Sequence, residues 1–520
     1  MFRWIPTILA ALWLCASSAS MAKEFSLVTY NVENLFDLDG FSNYDEYKSE
    51  SYTPEHMAVK VENVARVLAK VGDGRGPDII VFNEIEIDQT PQSTIPDRRA
   101  WLESVRGRSI RDLVSSNPVA PEAAGVPAEA WLLKACEDAG LHGYHVATTD
   151  DLPGNYDSGR PRSVRNVVFS RFPILSSTTH PTPDARSILE AKIDIEGHPL
   201  TVLANHWKSG AGDPRHERIR LKNARTLRDR LDAIFAEDPM ADVVVAGDFN
   251  SHYNQNSRYP EFRETALIDV LGSQGNELAL RKRGDLYNLW FEVPTRQRGS
   301  DIYRDEWGTL MHILVSRGLY DTKGLQYRDN SFQVLKFPGL NADVFGRPYR
   351  WSRGKRPGGF SDHFPILARF RTAEPNSRAK WMALRNPSTV VEGPAGPVRL
   401  ISSVDLFKRA VKPGNEPRDA DFRDGTYDGK VFLVDGPASI NERGFVSVTL
   451  NGLEYDVFTH NRELREKIRE VAQEKSHLRF YGQLSTYRGR WQFVLHGLEW
   501  LPDQSARNSR ESQPRRSERA

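Results

Sequence analysis

Five short apolar runs in this chain end in polar residues able to do chemistry. VTYN delivers Asn31, and IIVFNE delivers Glu84. LTVLANHWKS delivers Asn205, His206 and Lys208, VVVAGDFN delivers Asp248 and Asn250, and GGFSDHFPIL delivers Ser361, Asp362 and His363. Singly, each has a plain reading: a strand-end Asn forms a turn, an Asp caps, a lone His is a satisfied polar residue. Five such endings in one stretch exceed what turns explain, and in α/β proteins chemistry gathers just beyond buried strands. The carboxylates of Glu84, Asp248 and Asp362 with the Asn31 amide make an all-oxygen donor set of the kind Mg²⁺ or Mn²⁺ prefers. The sequence has no HExxH, no zinc-like Cys/His spacing, no GxSxG elbow and no Gly-rich phosphate loop ending in Lys-Ser. Two histidines beside hard-metal ligands suit hydrolysis of a phosphate ester, one activating water and one facing the phosphoryl oxygens.

The elements that must carry these residues alternate from Phe25 to about Arg371. FSLVTYN reads as a strand, Met57, Val61, Val64 and Leu68 recur at helical spacing, and PDIIVF is a buried strand. SVRNVVFSRFPIL, AKIDIEGHPLTVLANH (a hairpin turning at Glu196-Gly197), DVVVAGDFN, MHILVS and DHFPILARF add further strands, and PRHERIRLKNARTLRDRLDAIF a long basic helix. This pattern predicts one α/β domain over residues 23–371, its sheet covered on both faces. Residues 372–397 have a linker's composition. Residues 398–502 follow a different order, three short strands, a helix over NRELREKIREVAQEK and two more strands, which resembles an OB-fold barrel. The Ser/Arg-rich tail 503–520 lacks apolar periodicity and reads as disordered.

TYNVENLF, PDIIVFNEIE, NHWKSG, VVAGDFNS and FSDHFPI, in that order, resemble the endonuclease/exonuclease/phosphatase superfamily, which includes pancreatic-type deoxyribonuclease, apurinic endonucleases and neutral sphingomyelinases. The resemblance implies a four-layer α/β sandwich of two packed mixed sheets and a divalent-metal-dependent phosphodiester hydrolase. Carried over residue by residue, it implies that Glu84 is the principal metal ligand, with Asn31 and Asp362 beside the metal. Asp248 would orient water or assist proton transfer, Asn250 would hold the scissile phosphate, His206 would contact it, and His363 would be the catalytic histidine. Lys208, Arg165 and Asn166 stand where phosphate contacts are expected, with a strand-end salt bridge as the plain alternative for Arg165.

One position departs from the family pattern. Where an aspartate ordinarily orients the catalytic histidine, this chain has Met311, in Met311-His312-Ile313-Leu314. Methionine is a weak acceptor and cannot stabilise an imidazolium. Losing an orienting carboxylate costs on the order of 10⁴ in rate in triad enzymes. Asp301, Asp305 or Glu306 stands close enough in sequence to substitute, and His312 is a further surrogate.

The choice of phosphodiester rests on two basic, aromatic-bearing segments. GRPYRWSRGKRP, with Arg353, Lys355 and Arg356, runs into the FSDH segment and suits a polyanion with stackable bases. In the barrel, Tyr481, Arg488 and Trp491 are candidate nucleic-acid contacts, although strand alternation turns about half of such side chains inward. The expectation is therefore a nuclease acting on DNA and/or RNA. The alternatives are a sphingomyelinase-like phospholipid phosphodiesterase or a degenerate nucleic-acid-binding protein.

Composition bounds these readings. The 520 residues carry 70 Lys+Arg against 69 Asp+Glu, so no global charge drives nucleic-acid or membrane binding. Two cysteines support no disulfide framework. Residues 1–22, with Arg3, an apolar stretch and small residues at the exit, read as a secretory signal peptide. The mature protein is thus expected in the periplasm or outside the cell, without stable membrane association. Cys136, in AWLLKACEDAG, is expected to be a buried, inert thiol.

Overall fold

The computed structural model describes residues 23–502 except 92–94, 96, 116–122, 124, 277–283, 305, 353–356, 374–402, 414–429, 460, 488 and 489. The expected signal peptide and tail, and all but the start of the expected linker, lie outside the described residues.

Two seven-stranded sheets form the centre of the α/β region. The first contains β1 (Glu24–Leu35), β2 (Ile79–Glu86), β3 (His145–Thr148) and β4 (Val164–Ser170). Its order runs Leu325–Tyr327, Ile366–Thr372, β1, β2, β4, β3, with Gln333–Val334 pairing off the path. The second contains β5 (Ile174–His180), β6 (Ile188–Ile195), β7 (His198–His206), β8 (Val243–Asp248), β9 (Leu286–Asn288) and β10 (Met311–Val315). Its order is Ser273–Gln274, β9, β10, β8, β7, β6, β5. Both sheets mix parallel with antiparallel pairs: β1 lies parallel to β2 and β8 parallel to β7, while β8 and β10 are antiparallel.

Strand alternation explains the layering. Leu27, Ile79, Val81 and Val168 face Val202, Ala204, Val244, Ala246 and Ile313 across the space between the sheets. Their neighbours Val28, Tyr30, Ile80 and Phe82 point the other way, onto the helices Pro54–Leu68 and Ala128–Asp138. Met57, Val61, Val64 and Leu68 are all fully buried there, as their spacing predicts, and so is Cys136, whose thiol burial pushes up to about 12. The basic helix Pro214–Glu237 covers the outer face of the second sheet through Leu227, Leu231 and Phe235. The result is four layers: helix, sheet, sheet, helix. The turn between β6 and β7 falls at Glu196-Gly197, both at positive φ (54° and 87°), the backbone a two-residue hairpin demands.

Five further strands close a barrel: Val431–Ile440, Val446–Leu450, Leu453–Phe458, His477–Tyr487 and Arg490–Val494. Around the barrel they run first, second, third, fifth, fourth, and the helix Arg462–Lys475 joins the third to the fourth. Phe480, Phe493, Tyr455 and Trp500 fill it.

Candidate active site

The strand ends converge because β1, β2, β7 and β8 are adjacent members of the two packed sheets. Asn31 and Asn83 are register partners in the first sheet; His206 and Asp248 are partners in the second. Gly247 makes the second pairing possible. Its φ of 136° is unfavourable for a side chain, and a Cβ there would sit 2.0 Å from the Asn205 carbonyl oxygen. Glu84 also takes a left-handed backbone (φ 65°), where the β1–β2 and β2–β4 registers shift, and this turns its carboxylate toward Asn31.

Asn31 is the hub. Its Nδ2 donates to Glu84 Oε1 and to Asp248 Oδ2, both at 3.0 Å, while its Oδ1 accepts the Glu33 N–H at 2.9 Å. In this arrangement the Asn31 amide is a donor that holds two carboxylates together, while its oxygen accepts one backbone N–H. His206 supplies the third member. Its Nε2 lies 3.7 Å from both Glu84 Oε1 and Asp248 Oδ2. Glu84, His206 and Asp248 offer ligand atoms within 4.8 Å of one another, the one such group among the described residues. Burial raises both carboxyl pKa values, and burial with the nearby charges of Arg186, His363 and Lys208 keeps His206 neutral. Two buried carboxylates converging beside a neutral imidazole are what a divalent cation would stabilise, so the residues present fit such an ion.

His363 faces the same group, with Nε2 3.7 Å from Asp248 Oδ2 and 3.8 Å from Asp362 Oδ1. Burial alone would depress its pKa. Asp362, Asp248, Asp301 and Glu84 together outweigh burial and hold it at about 9, so the ring is an imidazolium at neutral pH. Its loop is tied down by Ser361, whose Oγ donates to the Asn31 carbonyl at 2.6 Å and accepts the His363 N–H at 3.1 Å. Asn250 sits close by at φ 48°, its amide donating to the Trp207 carbonyl at 3.2 Å and its N–H to Asp248 Oδ1 at 2.8 Å.

The Met311 departure has a local answer. Met311 is fully buried and pairs with Asp248 across β8 and β10. His312 points to the other face, bonded to the Ser251 carbonyl at 2.8 Å and the Asn288 amide at 3.0 Å. Glu306 is exposed and pairs with Arg258, and Asp305 lies outside the described residues. Asp301 remains. It is buried, forms a β-bridge with His363, and anchors its own Oδ1 on Ser300 Oγ and the Leu310 N–H.

Two expected phosphate contacts are corrected. Arg165 donates to Glu129, which also binds Arg98; burial opposes that charge, but the two guanidinium groups hold the Glu129 carboxyl down at about 2. Asn166 is fully buried, accepting from Asn83 and donating to the Ser187 and Ala204 carbonyls, so it stitches the two sheets together. Arg353, Lys355, Arg356 and Arg488 lie outside the described residues. In the barrel, Tyr481 is covered by Phe407, stacked at 4.0 Å, and Trp491 packs against the core. These two rings are therefore placed as packing residues.

Sequence reasoning missed one cation that acts on the centre, Arg186. Arg186 acts electrostatically on Glu84, His206 and Lys208. Lys208, in its predicted place, is pinned by buried Arg220, which donates to the carbonyls of Lys208, Gly210 and Ala211 and pairs with Glu217. Burial and the charges of Arg160, Arg186 and Arg220 press the Lys208 pKa down to about 8. Arg160 and Arg162 flank the Tyr156 ring at 5.8 and 5.4 Å, forming a cationic rim on this side. Arg350 stands 3.6 Å from Asp362. No motif marks Arg186, whereas Arg350 belongs to the basic run GRPYRWSRGKRP read from the sequence.

The sequence model described as the Endonuclease/Exonuclease/phosphatase family matches residues 162–372, the stretch that carries His206, Asp248 and His363. Over this stretch the chain is similar to that family. Among solved structures, humanized D. rerio TDP2 with 14 mutations is 14% identical, covering 67% of this chain and 99% of its own, at a TM-score of 0.36. An endonuclease/exonuclease/phosphatase family protein from Leptotrichia buccalis C-1013-b is 14% identical, covering 66% and 98%, at 0.37. Sphingomyelinase C from Streptomyces griseocarneus is 15% identical, covering 66% and 99%, at 0.36. TM-scores of this size carry no argument about substrate. No curated protein matches the chain.

Proposed function

We propose that the chain is a divalent-metal-dependent phosphodiester hydrolase that cuts nucleic acid. The observation that carries this reading is the convergence of Glu84, His206 and Asp248 beside a charged His363, with Arg186 acting on Glu84 and His206, Lys208 acting on His206, and Arg350 standing 3.6 Å from Asp362. Glu84, Asp248 and neutral His206 would hold the ion, which when bound supplies charge neutralisation at the phosphoryl oxygens. Asp248 would accept the proton of the attacking water as its oxygen bonds to phosphorus, the P–O bond to the leaving strand breaks, and the His363 Nε2–H would pass its proton to that leaving oxygen. Asp301, from the hairpin Asp301–Tyr303/Glu306–Gly308, would act on His363 through its charge and a backbone bridge, whereas the ring's Nδ1 has no hydrogen-bond partner among the described residues. Arg186, Lys208 and Arg350 favour a polyanion over a choline phosphodiester, whose head group is itself a cation.

The strand order of the barrel, with its helix between the third and fourth strands, supports an OB-like accessory domain. The signal-like residues 1–22 support export to the periplasm or beyond. Among the described residues no helix is long and apolar enough to cross a membrane. The test is cleavage of supercoiled plasmid with Mg²⁺, Mn²⁺ or EDTA, beside His363→Ala. Metal-dependent nicking lost in the variant supports the proposal. DNA retention without cleavage would indicate a binding protein, and release of choline phosphate from sphingomyelin would redirect it to lipid.

A further inference from the structure

The segment that leads into Asp362 and His363 is anchored from beneath. Lys60, fully buried on the helix Pro54–Leu68, donates from Nζ to the carbonyls of Glu33 at 3.1 Å and Phe360 at 2.8 Å, and lies 4.7 Å from the centre of the Trp351 ring. Asn63 Nδ2 donates to the Gly359 carbonyl at 2.8 Å. Gly359 adopts φ 81°, and a Cβ there would fall 2.0 Å from the Arg350 carbonyl oxygen. Glu33 completes the clamp. Held in a left-handed backbone (φ 51°), it is buried, and its two oxygens accept the Trp351 N–H at 2.9 Å and Arg350 Nε at 2.5 Å.

What this clamp fixes on the outside is the Arg350 guanidinium. Its side chain is 70% exposed, although Glu33 binds one edge of it. Nη2 stands 3.6 Å from Asp362 Oδ2, and Asp362 Oδ1 stands 3.8 Å from His363 Nε2. Arg350 is thus one side chain farther out than His363, on the solvent side of the proposed hydrolytic centre. A counter-ion for Glu33 alone would not have to be solvent-facing, since Lys60 already lies in the field of that carboxylate. A guanidinium has five donors; Glu33 takes the one on Nε and Asp362 draws on Nη2 at 3.6 Å, so the remaining solvent-facing N–H groups are left for an oxyanion.

We infer that Arg350 binds the phosphate next to the scissile one in an extended strand, making it a specificity residue for polyanionic chains over isolated phosphodiesters. Glu33 is its positioning residue. The inference rests on the hydrolase reading above and adds the substrate class. Asp362 and His363 intervene between Arg350 and Asp248, which puts the guanidinium one step outward from the groups proposed to face the reacting phosphate.

Two measurements test it. In the first, fluorescence anisotropy follows a labelled single-stranded oligodeoxynucleotide binding to the wild-type chain, Arg350→Ala, Arg350→Lys and Glu33→Gln, in EDTA over a salt series. In the second, kcat/KM with Mg²⁺ or Mn²⁺ is compared for the oligonucleotide and for bis(p-nitrophenyl) phosphate, which has a single phosphate. Arg350→Ala is expected to weaken oligonucleotide binding about tenfold and to reduce the slope of log K against log salt by about 0.7, the loss of one phosphate contact on a single strand. Its loss of kcat/KM on the single-phosphate substrate should be several-fold smaller than its loss on the oligonucleotide. Arg350→Lys should keep the slope with intermediate affinity, and Glu33→Gln should show part of the Arg350→Ala loss. Unchanged affinity and slope in Arg350→Ala, which alters an exposed side chain and should melt like wild type, would overturn the inference. An equal loss on both substrates would also overturn it, by assigning Arg350 to the scissile phosphate. A wild-type chain that hydrolyses neither substrate would remove the hydrolase reading, while the binding series still decides Arg350.

Discussion

At the scale of single residues, the site separates groups that look alike in sequence by what each one touches. Asp301 and Met311 make the sharpest case. If Asp301 orients the imidazolium of His363, Asp301→Asn should lower kcat by on the order of 10²–10⁴ with little change in KM, as loss of an orienting carboxylate does elsewhere. Steady-state kinetics on a cleavable oligonucleotide would show this, and an unchanged kcat would leave His363 without that support. Arg165 makes the opposite prediction. Because it neutralises fully buried Glu129, Arg165→Met should destabilise the fold by about 3–5 kcal/mol in denaturant unfolding, with KM for substrate unchanged. A phosphate-binding arginine would instead raise KM and leave stability alone. Sequence could not separate these cases. Arg165 and Lys208 are both basic residues at strand ends, and only the packing of the helix Ala128–Asp138 beneath Arg165 brings Glu129 to it. Asn31 is similar: its type and place were legible, but which amide atom faced the carboxylates depended on the Glu33 N–H.

At the scale of elements, the strands and the helix carrying Met57, Val61, Val64 and Leu68 were readable because burial imposes a period on them. SVRNVVFSRFPIL proved to be two strands, β4 and β5, in different sheets, separated by the turn through Arg171-Phe172-Pro173. Nothing in its apolar pattern marks that change of sheet. The irregular segments were less legible because contacts distant in sequence shape them, as Lys60 shapes the loop at Phe360. Asp242, just before β8, illustrates such a distant contact. It accepts the Leu325 N–H at 2.9 Å and so joins the two sheets, and burial, with Asp321 and Asp238 nearby, lifts its pKa from 3.8 to about 8. An acid whose pKa is raised on folding stabilises the fold fully below its unfolded pKa and loses that contribution as pH rises through the folded value. The melting temperature of Asp242→Asn relative to wild type should therefore climb from pH 4 to about pH 8 and then level off. A difference independent of pH would mean that Asp242 is charged throughout.

At the scale of the whole molecule, the four layers bring buried acidic groups together at one end of the sandwich, and folding must bear their repulsion. Mg²⁺ or Mn²⁺ should raise the melting temperature, by the equivalent of about 2.7 kcal/mol at a hundredfold excess over Kd. Glu84→Gln should abolish that shift, yet in EDTA it should melt higher than wild type because one buried charge is gone. A metal-independent wild type, or a Glu84→Gln variant that still responds, would count against Glu84 as a ligand. The two-part architecture and the barrel's strand sequence were visible in the change of grammar after residue 397. The way the parts meet was not, because it depends on Val344 and Phe345, two apolar residues in a loop without periodicity.

Those two residues have a practical consequence. Val344 is buried in the barrel's apolar core and Phe345 packs edge-on against His496, while a few residues later the same loop carries Arg350 and Trp351 onto Glu33. The unit of inheritance and the unit of mechanics therefore differ. A shortened protein ending near residue 372 would keep every strand-end residue of the site, yet it would bare Val344 and Phe345 to water a few residues from the arm that Glu33 holds. Such a fragment should aggregate more readily and bind an oligonucleotide less well than the full chain, so measurements made on it would not describe the full chain.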